Sequence, residues 1–331
     1  MTDTSRGNEQ KARALWHVSP GRAELQVNAL RAPQEHEICA RTLFSAISRG
    51  TERLVFNGRV PASEYAAMRG PLQDGDFPFP VKYGYCAVAR VEAGPRDLIG
   101  STVFALHPHQ DVFVAPVAMT AIVPDAIPAA RAVLAANMET ALNALWDSGA
   151  GPGDRVAVFG GGAVGLLIAY LAAALPGADV TLIDPDGSRA PIAKAFGAAF
   201  SSQSGAVREA DVVFHASASP EGLAAAIAAC GNEARLVEMS WYGDRAIEAP
   251  LGGAFHAKRL QIVSSQVGQV SPSRRPRWSH ARRLAKALDL LADPRLDMLI
   301  GERVTFSALA EELPRLLAPG AAGVVPLVVY D

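Results

Sequence analysis

The chain has 331 residues, more than one hydrophobic core usually holds, so two domains are expected. Half of it is apolar and 19% is charged, and a net charge of −2 gives no global pull toward nucleic acid or an anionic membrane. Three cysteines, Cys39, Cys86 and Cys230, share no CxxC spacing and are too few for a disulfide framework or a four-cysteine zinc site, so they read as small apolar fillers. The first thirteen residues, MTDTSRGNEQKAR, are polar and lack an apolar signal core, which reads as a frayed tail on a cytoplasmic protein. From about Ala14 to Pro124, short β-rich segments are broken by Gly and Pro, the pattern of a compact barrel-like unit. From about Pro128 to Val267, strands alternate with Ala-rich helices, the pattern of a doubly wound parallel sheet. Its strands are expected at 155–159, 179–184, 211–216, 234–240 and 260–266, with a weaker one at 198–200. The apolar run 164–176 is shorter than the about 18 residues of a membrane span and fits a buried helix. The tail from Gly268 predicts a helix over 279–292, a strand near 303–306, a helix over 307–318 and a last strand, VVPLVVYD. That last strand lacks a partner in the tail and is expected to return to the N-terminal region. The domains are therefore 1–127 plus 268–331, and 128–267.

The stretch 156–184 carries the most chemistry. An apolar run ends in Gly160-Gly161-Gly162-Ala163-Val164-Gly165, a helical pattern follows, and a second apolar run ends on Asp184, nineteen residues past Gly165. In a dinucleotide-binding βαβ unit, Gly160 serves the tight turn, Gly162 the approach of backbone to a diphosphate, and Gly165 the close packing of helix on strand. The helix N-terminus offers free N–H groups, and Asp184 accepts hydrogen bonds from a ribose diol.

A Rossmann unit inserted in a β-barrel resembles the medium-chain dehydrogenase/reductase superfamily. GPGDRVAVFGGGAVG, DPDGSRAPIAKAFGA, DVVFHASASPEGL and ARLVEMSWYG are similar to its cofactor-domain segments. ISRGTE, KYGYCAVARV, FALHPHQDVFV, NMETALNALWD, LGGAFHAKRL and SSQVGQVSPSRRPRW resemble a subgroup around 2-desacetyl-2-hydroxyethyl bacteriochlorophyllide dehydrogenase. The resemblance implies a GroES-like catalytic domain with an inserted Rossmann domain, a homodimer, and a small-molecule substrate with no nucleic-acid or membrane partner. It places Thr140 toward the nicotinamide, Ala163 and Val164 over the diphosphate, and Ala216, Ser217, Met239 and Ser240 on the far side.

The zinc members of that superfamily use three metal ligands, and here Arg49, Tyr85 and Ala136 fall on the aligned positions. No zinc is expected, because a catalytic Zn²⁺ needs three N, O or S ligands. His107, His109 and Glu139 are the residues from which a rearranged metal site would have to be built. Around the missing metal the resemblance places Ser48, Arg49, Thr51, Tyr85 and Glu139. Tyr85 is read as donor to the substrate oxygen, with Arg49 lowering its pKa, or as filler of the zinc volume. Thr51 is read as the hydroxyl beside the metal or as a cap. Arg49 is read as a contact to a substrate carboxylate or cofactor phosphate, or as a partner of Glu52. His107 is a proton-relay candidate.

Asp184 favours NAD over NADP, since a carboxylate repels a 2′-phosphate, while Arg189 lies where the superfamily carries a basic residue beside the adenine ribose. The Arg-rich run 271–283 reads as a solvated helix entry and subunit contact, or as an anchor for an anionic group at Arg274 or Arg275. The leading expectation is a zinc-independent NAD(P)-dependent oxidoreductase on an alcohol/carbonyl pair. Alternatives are a quinone or enone reductase, a nucleotide-binding sensor without catalysis, and a metalloenzyme with relocated ligands.

Overall fold

A computed structural model describes residues 10–331, so most of the polar N-terminal tail lies outside the described residues. The chain divides into two compact units, one of residues 1–136 and 300–331, the other of residues 137–299.

The first unit is β-rich. Its strands are β1 (Lys11–Ser19), β2 (Arg22–Ala29), β3 (Glu37–Ala46), β4 (Asp74–Gly75), β5 (Val81–Lys82), β6 (Ala87–Ala93), β7 (Thr102–Ala105), β8 (Val112–Pro116) and β9 (Thr120–Ile122). The second unit supplies β10 (Arg155–Phe159), β11 (Asp179–Ile183), β12 (Ala199–Ser201), β13 (Ala210–His215), β14 (Cys230–Glu238) and β15 (Gln261–Ser264). The chain then returns to the first unit with β16 (Ile300–Thr305) and β17 (Val325–Val329).

In the first unit one sheet runs β2-β1-β5-β4 and the other β16-β17-β3-β6-β7-β9, with β8 also paired to β3. Alternate residues of β3, β6, β7 and β8 point inward and meet in one core: Ile38, Ala40, Ala87, Ala89, Val91, Val103, Ala105, Phe113 and Ala115. Small alanines on several strands let the walls close on a single large ring, Phe113. Helix α1 (Arg49–Phe56) follows β3. β17 pairs antiparallel with β3, as the sequence led us to expect, yet it also pairs parallel with β16. The expectation that it lacks a tail partner is therefore corrected.

In the second unit the sheet order is β12-β11-β10-β13-β14-β15, and every neighbouring pair is parallel. Runs such as RVAVF are buried on both faces, as a parallel sheet covered by helices demands. The chain builds outward from β10 through β11 and β12, then crosses to β13 on the other side. That reversal leaves a crevice at the carboxyl ends of β10 and β13. Helices α2 (Ala129–Ala132) and α3 (Ala135–Ser148) precede the sheet, and α3 contains the boundary between the units. Around the sheet stand α4 (Ala163–Ala173), α5 (Ala190–Ala195), α6 (Pro220–Ala229) and α7 (His280–Leu290).

The division at 268 is also corrected: residues 268–299 belong with the Rossmann sheet. The cause is Arg283 on α7, a fully buried guanidinium bonded to Glu139 and Asn143 of α3 and to the carbonyls of Val267 and Gln269. Helix α8 (Leu309–Leu316) returns to the first unit, burying Leu309, Leu313 and Leu316 against Leu15, Ile47, Phe56 and Val328. Each leucine so buried contributes roughly 1.5–3 kcal/mol. Among the described residues no helix is long and apolar enough to cross a membrane.

Candidate dinucleotide site and the replaced metal position

In the second unit β10 ends at Phe159, and the chain turns through Gly160 at φ 111°, a conformation side chains resist. The turn is pinned by Gly160 N–H donating to the Ile183 carbonyl at 2.9 Å. A Cβ on Gly160 would lie 2.7 Å from the Ser217 nitrogen, and one on Gly165 only 1.8 Å from the Gly160 carbonyl oxygen. Both glycines are thus required by packing. Gly162 differs: it is the N-cap of α4, and nothing lies within 4 Å of its Cβ position. That space beside the first turn of α4, flanked by Ala163, Val164 and the helix N-terminus, is open.

Asp184 follows β11. Its Oδ2 accepts from Gly161 N–H at 2.5 Å and its Oδ1 from Asp186 N–H at 2.8 Å. Each oxygen keeps a further lone pair, so the carboxylate can still accept from a ribose diol. Arg189 pairs with Asp186 at 3.0 Å, and its Cγ lies 2.8 Å from the Cβ position of Gly161. Arg189 therefore stands near Asp184 at the Cβ position of Gly161.

On the other flank of β10, Ala216 N–H donates to the Phe159 carbonyl at 2.8 Å, and Met239 N–H to the His215 carbonyl at 2.8 Å. Ser240 Oγ accepts from Ala218 N–H at 3.0 Å. These contacts bring Ala216, Ser217, Met239 and Ser240 to the crevice at the strand ends. Sequence reasoning missed His215 and Glu238, which are paired in register on β13 and β14. His215 Nδ1 lies 2.8 Å from Glu238 Oε2, and its Nε2 lies 2.7 Å from Ser217 Oγ. The available signal was a histidine and an acid closing two neighbouring expected strands. Thr140 lies on α3, a helix of the same unit.

In the first unit the residues expected at the metal-ligand positions have other partners. Arg49 is the first residue of α1, and its guanidinium donates to the carbonyls of Leu316 (2.9 Å), Ala321 (3.1 Å), Gly323 (2.7 Å), Val324 (3.5 Å) and Ala322 (2.6 Å). Arg53, one turn later, donates to Leu317 and Ala318. The two cations cap the C-terminus of α8 and the loop behind it, where carbonyls lack helical partners and the dipole is negative. Arg49 therefore does not pair with Glu52, and its donors are committed to backbone rather than to a substrate or phosphate.

Glu52 is fully buried and accepts from Ser48 N–H at 2.7 Å. Its other oxygen lies 3.0 Å from His109 Nε2, His109 Nδ1 lies 2.7 Å from Ser45 Oγ, and Ser45 Oγ lies 2.9 Å from the Tyr330 hydroxyl. One donor order satisfies the chain: Tyr330 to Ser45, Ser45 to His109, His109 to Glu52. Thr51 lies inside α1 and Ser48 at its N-cap position.

Tyr85 is half-buried, with Tyr83 edge-on at 6.0 Å. Burial pushes its phenol well above the ordinary value of 10, and a hydrogen bond with Ser48 opposes this only in part. The expected lowering by Arg49 is therefore corrected, since that cation points to α8. His107 stacks on Phe113 at 4.1 Å and donates from Nδ1 to the Pro108 carbonyl. Burial lowers its pKa to about 3, so it stays uncharged near neutrality and loses the protonation change a relay needs. The two histidines serve different partners. Glu139, the carboxylate offered to a rearranged metal site, is held by Arg283 at 2.9 Å.

The residues at the three positions that the resemblance aligns with zinc ligands are not a zinc donor set. The three aligned positions offer a carbonyl-bound guanidinium, a phenol held protonated by burial, and a methyl group at Ala136. Among the described residues no group of three or more His, Cys, Asp or Glu side chains is arranged to hold a metal ion.

No protein-family model matches the chain, and no curated protein matches it. Solved structures do. A 2R,3R-butanediol dehydrogenase from Bacillus subtilis superimposes with a TM-score of 0.77 at 16% identity, covering 97% of this chain and 100% of that one. A protein from E. coli CFT073 named a short chain alcohol dehydrogenase, complexed with NADH, gives 0.75 at 16% identity, covering 96% and 99%. L-idonate 5-dehydrogenase from E. coli K-12 gives 0.78 at 14% identity, covering 97% and 98%. Over nearly its whole length, then, this chain has the fold of these dehydrogenases: a β-rich unit with an inserted Rossmann unit.

Proposed function

We propose that the chain is an NAD(P)-dependent oxidoreductase of the medium-chain dehydrogenase/reductase superfamily that works without zinc on an alcohol/carbonyl pair. The observation that carries this reading is the Gly160–Gly165 turn joined to Asp184: two glycines demanded by packing, and a third, Gly162, that packing leaves free. A bound nicotinamide supplies hydride donation or acceptance. The chain's own residues bind and orient it. Backbone N–H groups at the start of α4 hold the diphosphate, and Asp184 accepts from the adenine ribose. The same carboxylate favours NAD over NADP by repelling a 2′-phosphate. The resemblance further suggests a cytoplasmic homodimer acting on a small molecule.

Proton handling falls to Tyr85 in this reading. A phenol kept protonated by burial donates a hydrogen bond to a substrate oxygen, and Ser48 orients the hydroxyl. Saturating NADH should raise the melting temperature by about 5 °C or more, with a smaller rise from NADPH. A flat response to both would overturn the reading. Turnover of activated alkenes with none of alcohols would move the activity to the quinone/enone reductase class.

A further inference from the structure

We propose that Ser217, His215 and Glu238 form a hydrogen-bond relay that presents the Ser217 hydroxyl as an acceptor, and that this acceptor selects a hydroxyl or amide donor on the nicotinamide half of a bound dinucleotide. The proposal rests on the dinucleotide reading above and adds two positioning residues, His215 and Glu238, that act through Ser217.

Three observations carry it. The first is direction. The Glu238 carboxylate is an acceptor only, and it lies 2.8 Å from His215 Nδ1 while also accepting from Ser240 N–H at 2.8 Å and from the Tyr242 hydroxyl at 3.3 Å. Nδ1 therefore carries the proton, and Nε2 offers its lone pair to the Ser217 hydroxyl 2.7 Å away. With its proton turned inward, Ser217 Oγ has only lone pairs left. Ser219 N–H takes one at 3.3 Å, which leaves one for a ligand.

The second observation is room. Gly222, in the first turn of α6, would carry a Cβ 2.3 Å from Ser217 Oγ and 3.0 Å from His215 Nε2. A larger residue there would break the relay, so the helix yields space to this pair of atoms.

The third is place. His215 is fully buried whereas Ser217 is exposed, so the relay opens to solvent at its serine end. Ser217 nitrogen also sits at the Cβ position of Gly160, while Asp184 sits at that of Gly161. The two residues flank the glycine turn on opposite sides. A dinucleotide with its diphosphate on α4 and its adenine ribose at Asp184 brings its other nucleoside to Ser217. That half carries two kinds of donor, the ribose hydroxyls and the carboxamide N–H₂.

The test is the dissociation constant of NAD⁺, measured by calorimetry on the full chain, for wild type, Ser217→Ala, Glu238→Gln and the double variant. Because Ser217 is exposed, alanine there leaves the fold intact, and binding should weaken about five- to tenfold. In Glu238→Gln the Ser240 N–H holds the amide oxygen, so the amide nitrogen faces Nδ1. The imidazole tautomer then reverses, Nε2–H points at Ser217, and the serine proton turns toward the ligand donor. Binding should weaken by a similar factor, and the double variant should be no weaker than Ser217→Ala alone.

Nicotinic acid adenine dinucleotide separates the two donors. If the carboxamide is the partner, Ser217→Ala leaves affinity for this analogue unchanged. If a ribose hydroxyl is the partner, both dinucleotides lose the same factor. Either result supports the proposal. Wild-type affinity for NAD⁺ in Ser217→Ala overturns it, as does an additive double variant. Should Glu238→Gln not fold, the Ser217→Ala constant decides alone. Wild-type protein that binds no dinucleotide overturns the cofactor reading instead.

Discussion

Arg283 and Glu139, 144 positions apart, form an ion pair at 2.9 Å in the interior of the Rossmann unit. It joins α7 to α3 and explains why residues after 268 belong to the second unit. Burial raises the Glu139 carboxyl above its ordinary range, and Arg283 pulls it back only in part. The pair is thus a positioning device rather than a large source of stability. Arg283→Met should cost about 3–5 kcal/mol in a denaturant titration, because it strands a buried carboxylate. Adding Glu139→Leu should recover part of that loss. The carbonyls of Val267 and Gln269 would remain without their donor, so recovery should be incomplete.

The glycines of the turn should separate folding from binding. Gly165→Ala drives a methyl into the Gly160 carbonyl and should destabilise the unit by more than about 2 kcal/mol. Gly162→Ala meets no protein atom, so its melting temperature should stay within about 2 °C of wild type. NADH affinity should nevertheless fall at least tenfold, because the methyl fills the diphosphate cradle. Thermal scans with and without NADH check both halves.

Acid should loosen the β-rich unit through His17. This side chain is fully buried against Phe56, neither ring nitrogen has a hydrogen-bond partner, and burial lowers its pKa from 6.5 to about 4. A lowered histidine binds fewer protons when folded, so its contribution is complete above pH 6.5 and is lost as pH falls toward 4. The loss from this residue is about 3 kcal/mol at its limit. His17→Phe should flatten the stability profile between pH 6.5 and 4 as read by urea midpoints. An unchanged slope would show that other groups dominate acid unfolding.

Tyr85 and Arg49, aligned on two metal ligands, should respond differently. Tyr85→Phe should leave stability nearly unchanged and lower turnover about 10²-fold or more, with little effect on NADH binding. Arg49→Lys should leave the chemistry intact yet cost about 1–3 kcal/mol, since an ammonium cannot reach the five carbonyls the guanidinium spans. Kinetics and melting of the two variants should therefore move on separate axes.

Much of the glycine turn was legible in the residues. Gly160, Gly162, Gly165 and Asp184 lie in one short stretch, and the packing demand on Gly160 and Gly165 follows from local turn geometry. The strands β10 and β11 were readable for the same reason, as uninterrupted apolar runs between turn signals. The long-range partners were not legible. Arg49 finds its partners at 316–324, Glu139 finds Arg283, and Glu52 finds His109, all across long separations that no local pattern encodes. His107 and His109 look alike in sequence, yet one stacks on Phe113 and the other closes a buried relay.

The sequence by itself therefore determined the βαβ unit and its glycine turn, because backbone conformation and helix ends are set by neighbours in the chain. Only the tertiary structure decided which polar side chains are still available for chemistry. Burial drives most buried charges and donors to find a partner, His17 being an exception, and the partner is chosen by packing rather than by spacing. On that criterion the Arg49 guanidinium is held by backbone carbonyls and Glu139 by Arg283.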